Sequence, residues 1–181
     1  MKALVALGLT SCLVLAGCTV QPLYGGLTSS IAEYREAAPE LAAVYISQPS
    51  DRSHQLVRNE LAFMLYGGAA QPTEPRYHLD FSVTTTVQGA ARIPATASVS
   101  ERLDRPTSSI LTMNALYSVV NVHTGEQITV GRAQTMANFD LSGQEFARVR
   151  AEREAEARAA RELAAIIGLN VAAKLRTTAV N

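Results

Sequence analysis

Two stretches of strict alternation limit what this chain can fold into more than anything else in it. From Tyr77 the residues Tyr77, Leu79, Phe81, Val83, Thr85 and Val87 fall on one face, and His78, Asp80, Ser82, Thr84 and Thr86 on the other. A period of two sustained this long marks a strand buried on one side only. Ile110 to Val122 repeats the pattern, with Leu111, Met113, Ala115, Tyr117 and Val119 in phase. His123-Thr124-Gly125-Glu126 then makes a turn in which Gly125 suits a positive φ, and Gln127 to Phe139 returns as a further strand. The apolar phase of that strand shifts near Gly131, from Ile128 and Val130 to Ala133, Ala137 and Phe139, so a bulge is expected there. Arg132, beside it, is open to either face. Strands of this kind need a layer that covers their apolar side.

Helical spacing supplies the cover. Ser50-Asp51 offers an N-cap, and Leu56, Val57, Leu61, Met64 and Leu65 recur on one helical face until Gly67-Gly68 ends it. Arg58, Asn59 and Glu60 lie on or near its wet side and, taken alone, read as solvated surface. Ser142-Gly143-Gln144-Glu145 has the pattern of a capping box, which opens a last helix. Phe146, Val149, Arg153, Ala157, Ala160, Ala164, Ile167 and Val171 follow at steps of three and four, widened by Leu163 and Leu175. Gly143 to Arg176 would run roughly 50 Å. Leu41 to Ser47, between Pro39 and Pro49, reads as a first strand. The order strand, helix, strand, hairpin, long helix predicts an α+β fold. Its form is a two-layer sandwich, with two helices packed on a mostly antiparallel four-stranded sheet. One domain is expected over 41–176, with 177–181 as a C-terminal tail.

The beginning of the chain carries a different message. Lys2 precedes an apolar run from Ala3 to Ala16, too short to span a bilayer, and small residues follow: the features of a secretory signal over 1–17. Leu15-Ala16-Gly17-Cys18 is similar to the lipobox of bacterial lipoproteins, in which the cysteine is diacylated and the peptide is cut before it. Two or more acyl chains anchor where one binds only marginally. Cys18 is therefore the expected lipidation site, and Thr19 after it fits sorting to the outer membrane. Residues 18–40, with Pro22, Tyr24, Gly25 and Gly26, read as a tether.

Composition narrows the function. Cleavage before Cys18 leaves 164 residues, enough for one core. It also leaves 15 basic against 16 acidic side chains, a balance that makes no electrostatic case for nucleic acid. Of the two cysteines, Cys12 leaves with the signal and Cys18 takes the lipid, so the body must hold by packing alone. No nucleophile elbow, phosphate loop, dinucleotide fingerprint or zinc-protease helix occurs, and His54, His78 and His123 are scattered. Neither a catalytic activity, nor a metal, nor a cofactor is expected. His78 and Asp80 share a polar strand face without a nucleophile signature and read as solvated. Residues 88–109 lack periodicity and hold Arg92, Arg102 and Arg105 against Glu101 and Asp104, a long loop of the kind that often carries function.

Four stretches together resemble the LPS-assembly lipoproteins called LptE. They are Gln21-Pro22-Leu23-Tyr24-Gly25, Gln55-Leu56-Val57-Arg58-Asn59-Glu60-Leu61, Ala115-Leu116-Tyr117 through Thr124-Gly125 to Gly131, and Arg158 to Ile166. The chain departs from the family pattern at Asn121, where an Asp precedes the turn, and at Asn138-Phe139, where a Ser-Tyr pair is usual. The resemblance implies a lipid-anchored body that plugs the lumen of an LptD-type outer-membrane β-barrel. It also implies help in assembling that barrel and in delivering lipopolysaccharide to the outer leaflet. Arg58, Asn59, Arg92, Arg102 and Arg105 then become candidates for contact with lipopolysaccharide phosphates or with the barrel. Two other classes compete: an auxiliary lipoprotein of an envelope ABC transporter, and a lipid-anchored hydrolase that would gather His54 or His123 beside a carboxylate and a hydroxyl.

Overall fold

A computed structural model describes residues 39–67, 70–90, 108–141 and 143–180. The chain enters through a 3-10 turn, Pro39–Ala43, and passes directly into strand β1, Val44–Ile46. The strand expected from Leu41 to Ser47 is thus confined to its centre. Pro39 fixes a φ that suits the first turn of a helix, and Glu40 favours that turn's exposed N–H groups. Helix α1 is Arg52–Tyr66, strands β2, β3 and β4 are Tyr77–Gly89, Ser108–Asn121 and Gln127–Asp140, and helix α2 is Glu145–Val180. The sheet order is β1-β2-β3-β4. β1 runs parallel to β2, as a crossover helix allows, and the remaining pairs are antiparallel. The fold is the two-layer α+β sandwich that the alternation predicts. α2 continues to Val180, into the stretch read as a tail.

The hairpin corrects one expectation. The register passes from Val119 opposite Thr129 to Val120 opposite Gln127, so the bulge is at Ile128 and not at Gly131. Gly131 has a separate cause. It pairs with Tyr117, and a Cβ on it would lie 2.3 Å from Tyr117 Cζ. The ring needs a neighbour without a side chain, and only glycine leaves that room. Beyond the bulge Ala133, Thr135, Ala137 and Phe139 are buried, while Arg132 is exposed on the opposite face. At the turn Gly125 takes φ 71, and Asn121 Oδ1 accepts the N–H groups of His123 at 2.9 Å and Thr124 at 3.3 Å. An asparagine here closes the turn through the side-chain oxygen an aspartate would use.

α1 is bounded as its sequence indicates. Asp51 accepts the His54 N–H at 2.8 Å, and this bond holds its carboxyl below the usual range. Gly67 closes the helix at φ 59, its N–H donating to the Phe63 carbonyl at 2.7 Å. Val57, Leu61 and Leu65 are buried with His54 and Tyr66. His54 is 5% exposed, its ring centroid 4.1 Å from that of Phe81 in an edge-on arrangement. Its Nδ1 accepts the Ser50 N–H at 3.3 Å, whereas Nε2 has no partner among the described residues. Desolvation lowers its pKa below the ordinary 6.5, assisted by Arg58 and opposed by Asp51 and Asp80.

α2 provides most of the cover. Ala155, Ala159, Ala160, Leu163, Ala164, Ile167, Val171, Ala172 and Leu175 are buried against the sheet and α1. The alanines allow close approach, and a Cβ at Gly168 would sit 3.5 Å from the Met64 methyl of α1. The stripe starts later than spacing alone suggests. Phe146 is 82% exposed, Arg153 is exposed and Ala157 half-buried, whereas Ala155 and Ala159 are fully buried, so at this end of α2 the buried stripe runs beside the expected positions. Near the start of α2 Glu145 Oε2 accepts Arg148 Nε at 3.0 Å; Ser142, the other half of the expected capping box, lies outside the described residues. Polar contacts fix the layers: Glu156 accepts from Arg52 Nε at 3.1 Å and Ser53 Oγ at 2.8 Å, and Thr135 Oγ1 donates to the Ala159 carbonyl at 3.1 Å.

Two measurements check this packing. Tyr117→Ala and Ile167→Ala should each lose roughly 2 to 5 kcal/mol in denaturant unfolding. Gly131→Ala should cost roughly 1 to 3 kcal/mol by displacing the ring, yet much less in a Tyr117→Ala background, since the two residues share one site. Additive losses would mean the ring does not lie over Gly131. For His54 the folded pKa is the lower one, so the unfolded chain binds the extra proton between the two values. Stability should therefore be full above about pH 6.5 and fall as pH drops through that value toward the folded pKa. His54→Gln should remove that slope from a series of unfolding curves while leaving the separate acid loss from Asp51 below its usual carboxylate range.

Candidate interaction surface

The residues singled out by sequence do not come together. Arg58 is half-buried, and its Nε donates to the Ser47 carbonyl at 3.1 Å, so it fastens the end of β1 to α1. Asn59 is exposed on the next helical position and faces another way. Cys18, Arg92, Arg102 and Arg105 lie outside the described residues, as do Tyr24 and Ser142.

What the fold does gather is the sheet face that neither helix covers. Register places Asp80, Ser118 and Val130 side by side, then Ser82, Leu116 and Arg132, then Thr84, Asn114 and Gln134, then Thr86, Thr112 and Met136. A shallow groove of about 210 Å³ is lined by Ser82, Thr84, Asn114, Leu116, Arg132 and Gln134. Hydroxyls and amides dominate this face, with one acid and one base among these rows. Leu116, Val130 and Met136 stand out of it at 52%, 64% and 60% exposure. The solvent side of α2 differs, carrying ion pairs such as Arg158 with Glu154 at 2.8 Å. Arg132 has no hydrogen bond or ion pair among the described residues. Neutral hydrogen-bonding groups around exposed aliphatic side chains make a surface that can be covered without desolvating many charges, which is how the centres of protein interfaces are built. Sequence reasoning missed it because each residue, taken singly, reads as a solvated strand position. The signal was the near absence of Lys and Glu from those positions.

A grouping of the catalytic kind does exist and decides little in favour of chemistry. Ser50 Oγ lies 3.2 Å from His54 Nδ1 and donates to Asp51 Oδ2 at 3.0 Å. The carboxylate, however, meets the hydroxyl and the His54 backbone N–H and not the imidazole. The other ring nitrogen is buried against Phe81. A base oriented by its acid and facing a cleft is missing, so the three residues act as a helix cap. His78 stacks edge-on with Tyr45 at 5.3 Å on the outer face, and His123 is exposed in the hairpin turn. Among the described residues no three His, Cys, Asp or Glu side chains cluster as metal ligands, and no helix is long and apolar enough to cross a membrane.

No protein-family model and no curated protein matches the chain. Solved structures do. A candidate lipoprotein from Caulobacter crescentus aligns with a TM-score of 0.61 at 22% identity, over 81% of this chain and 98% of that one. Rare lipoprotein B from Shewanella oneidensis aligns with a TM-score of 0.54 at 11% identity, over 76% and 97% of the two chains. A minor lipoprotein from Acinetobacter baumannii gives 0.50 at 14%, over 72% and 91%. At such identities the likeness is one of fold: this chain folds like solved bacterial lipoproteins, over almost their whole length.

Proposed function

We propose that this protein is an outer-membrane lipoprotein of the LptE kind. It is lipidated at Cys18, its body occupies the lumen of an LptD-type β-barrel and helps that barrel assemble, and together they deliver lipopolysaccharide to the outer leaflet. The observation that carries the reading is the uncovered, nearly uncharged sheet face, in a fold shared with solved bacterial lipoproteins. A plug needs a rigid surface that can be enclosed, and this sheet is backed by two helices and closed to solvent on one side only.

The stretches that resemble the family support the fold half of this reading in particular. Val57 and Leu61 on α1, Ala115 and Tyr117 on β3, and Ala159, Ala160, Leu163 and Ala164 on α2 are all buried. Gly131 is the seat of the Tyr117 ring. The buried members of those stretches thus specify the scaffold.

Tagged, lipidated protein should recover a large β-barrel in near-equal amount from detergent-solubilised outer membranes, as read by mass spectrometry. Recovery of an inner-membrane permease instead would favour the transport-auxiliary reading, and recovery of neither would leave only a likeness of fold. Replacing Arg92, Arg102 and Arg105 together by Ser should weaken lipopolysaccharide binding or barrel copurification. If both are unchanged, those arginines have no part in the function.

A further inference from the structure

The two edges of the sheet are treated differently. In an antiparallel ladder alternate residues turn their N–H and C=O groups away from the neighbouring strand. On β4 the Asn138 carbonyl is one of these, because it accepts Arg158 Nη2 at 2.8 Å. Val130, Arg132, Gln134 and Met136 are in the same phase. None of their outward backbone groups has a partner among the described residues. The β1 edge is short, and its outward carbonyls are occupied: Val44 by the Tyr66 hydroxyl and Ile46 by Gln71 Nε2 at 3.1 Å. Burial pushes the Tyr66 pKa up to about 12, so that hydroxyl remains a donor. Among the described residues one edge is closed from within and the other is left open for most of a fourteen-residue strand. A long open edge is a template for another strand unless charge or a cap protects it.

The side chains along the open edge say what fits. On the outer face they run Val130, Arg132, Gln134, Met136: two exposed apolar groups and, between them, a guanidinium with no partner among the described residues. A second copy of this chain is a poor match. The acid of its β4, Asp140, would reach Arg132 only in a register that displaces Arg158 from the Asn138 carbonyl.

We propose that the β4 edge from Val130 to Met136 takes an extended segment of a partner protein, which lays an acidic side chain beside Arg132 and apolar ones beside Val130 and Met136. Backbone hydrogen bonds supply affinity, and the alternating side chains supply register. Under the barrel reading, on which this clause alone rests, the segment is an extended loop or hairpin reaching into the lumen, because the strands of a closed wall have no free edge.

The test places benzoylphenylalanine at position 130, 136 or, as a control on the exposed side of α2, 162 of the full lipidated chain in its native membrane. Cross-linked peptides are then mapped. The expected result is that positions 130 and 136 capture one contiguous segment, at points as far apart in it as the two positions are in β4, with an acid opposite Arg132. Gln134→Pro removes an outward N–H but leaves the β3 ladder intact, so it should abolish the capture without changing the melting temperature by more than a few degrees. Arg132→Glu should reduce capture several-fold, and a Lys in place of the partner's acid should restore it. Capture at unrelated points, capture of a second copy, or indifference to Arg132→Glu overturns the proposal. If a barrel copurifies but contributes no peptide at these positions, the edge inference fails and the plug reading stands. A correctly registered segment from another protein does the reverse.

Discussion

The contact between α2 and the rest of the body is the constraint on which the other features depend. Without cysteines among the described residues no disulfide ties the layers, and α2 is the element that touches β3, β4, α1 and the entry turn at once. Alanines at 155, 159, 160, 164 and 172 let its axis come close. Leu163, Ile167, Val171 and Leu175, each fully buried, supply the larger apolar area at roughly 1.5 to 3 kcal/mol apiece. The buried bond from Thr135 to the Ala159 carbonyl and the Glu156 links to Arg52 and Ser53 then fix α2 on the sheet and against α1. Both described helices pack on one side of the sheet, and no described element covers the other.

That asymmetry gives the molecule its outward character. The inner face is apolar and closed, and the outer face is hydroxyl- and amide-rich with a few exposed aliphatic groups. The edges repeat the contrast, since β1 is sealed by Tyr66 and Gln71 while most of β4 is not. A body built this way presents a broad, nearly uncharged sheet face to its surroundings. The one His-Ser-Asp grouping spends its polar atoms on starting α1, and Arg58, singled out for binding, spends its Nε on the end of β1.

Periodicity made most of the fold legible. The buried faces of β2 and β3, the cap at Asp51, the stop at Gly67 and the turn glycine Gly125 can all be read from local chemistry, because each is fixed by residues close in sequence. What could not be read depends on residues far apart. The phase change in β4 merges a bulge at Ile128 with a glycine cut to fit Tyr117, and only the cross-strand register separates the two. Phe146 and Arg153 have helical spacing for burial, but spacing does not say where the cover begins or which of two neighbouring stripes the sheet takes, and here it takes Ala155 and Ala159. The surface was less legible still. Its groove joins β2, β3 and β4, and no single strand announces it.

Methionine oxidation reads out whether the uncovered sheet face is enclosed in the outer membrane. Met136 is 60% exposed in the isolated body, and Met113 is fully buried in the core as an internal reference. The measurement is the rate of peroxide oxidation of both residues, in purified protein and in intact outer membranes. Met136 should oxidise quickly in the purified body and several-fold more slowly in the membrane, with Met113 slow in both. Equal Met136 rates in the two settings would show that this face stays open to water, and the plug reading would fall with it.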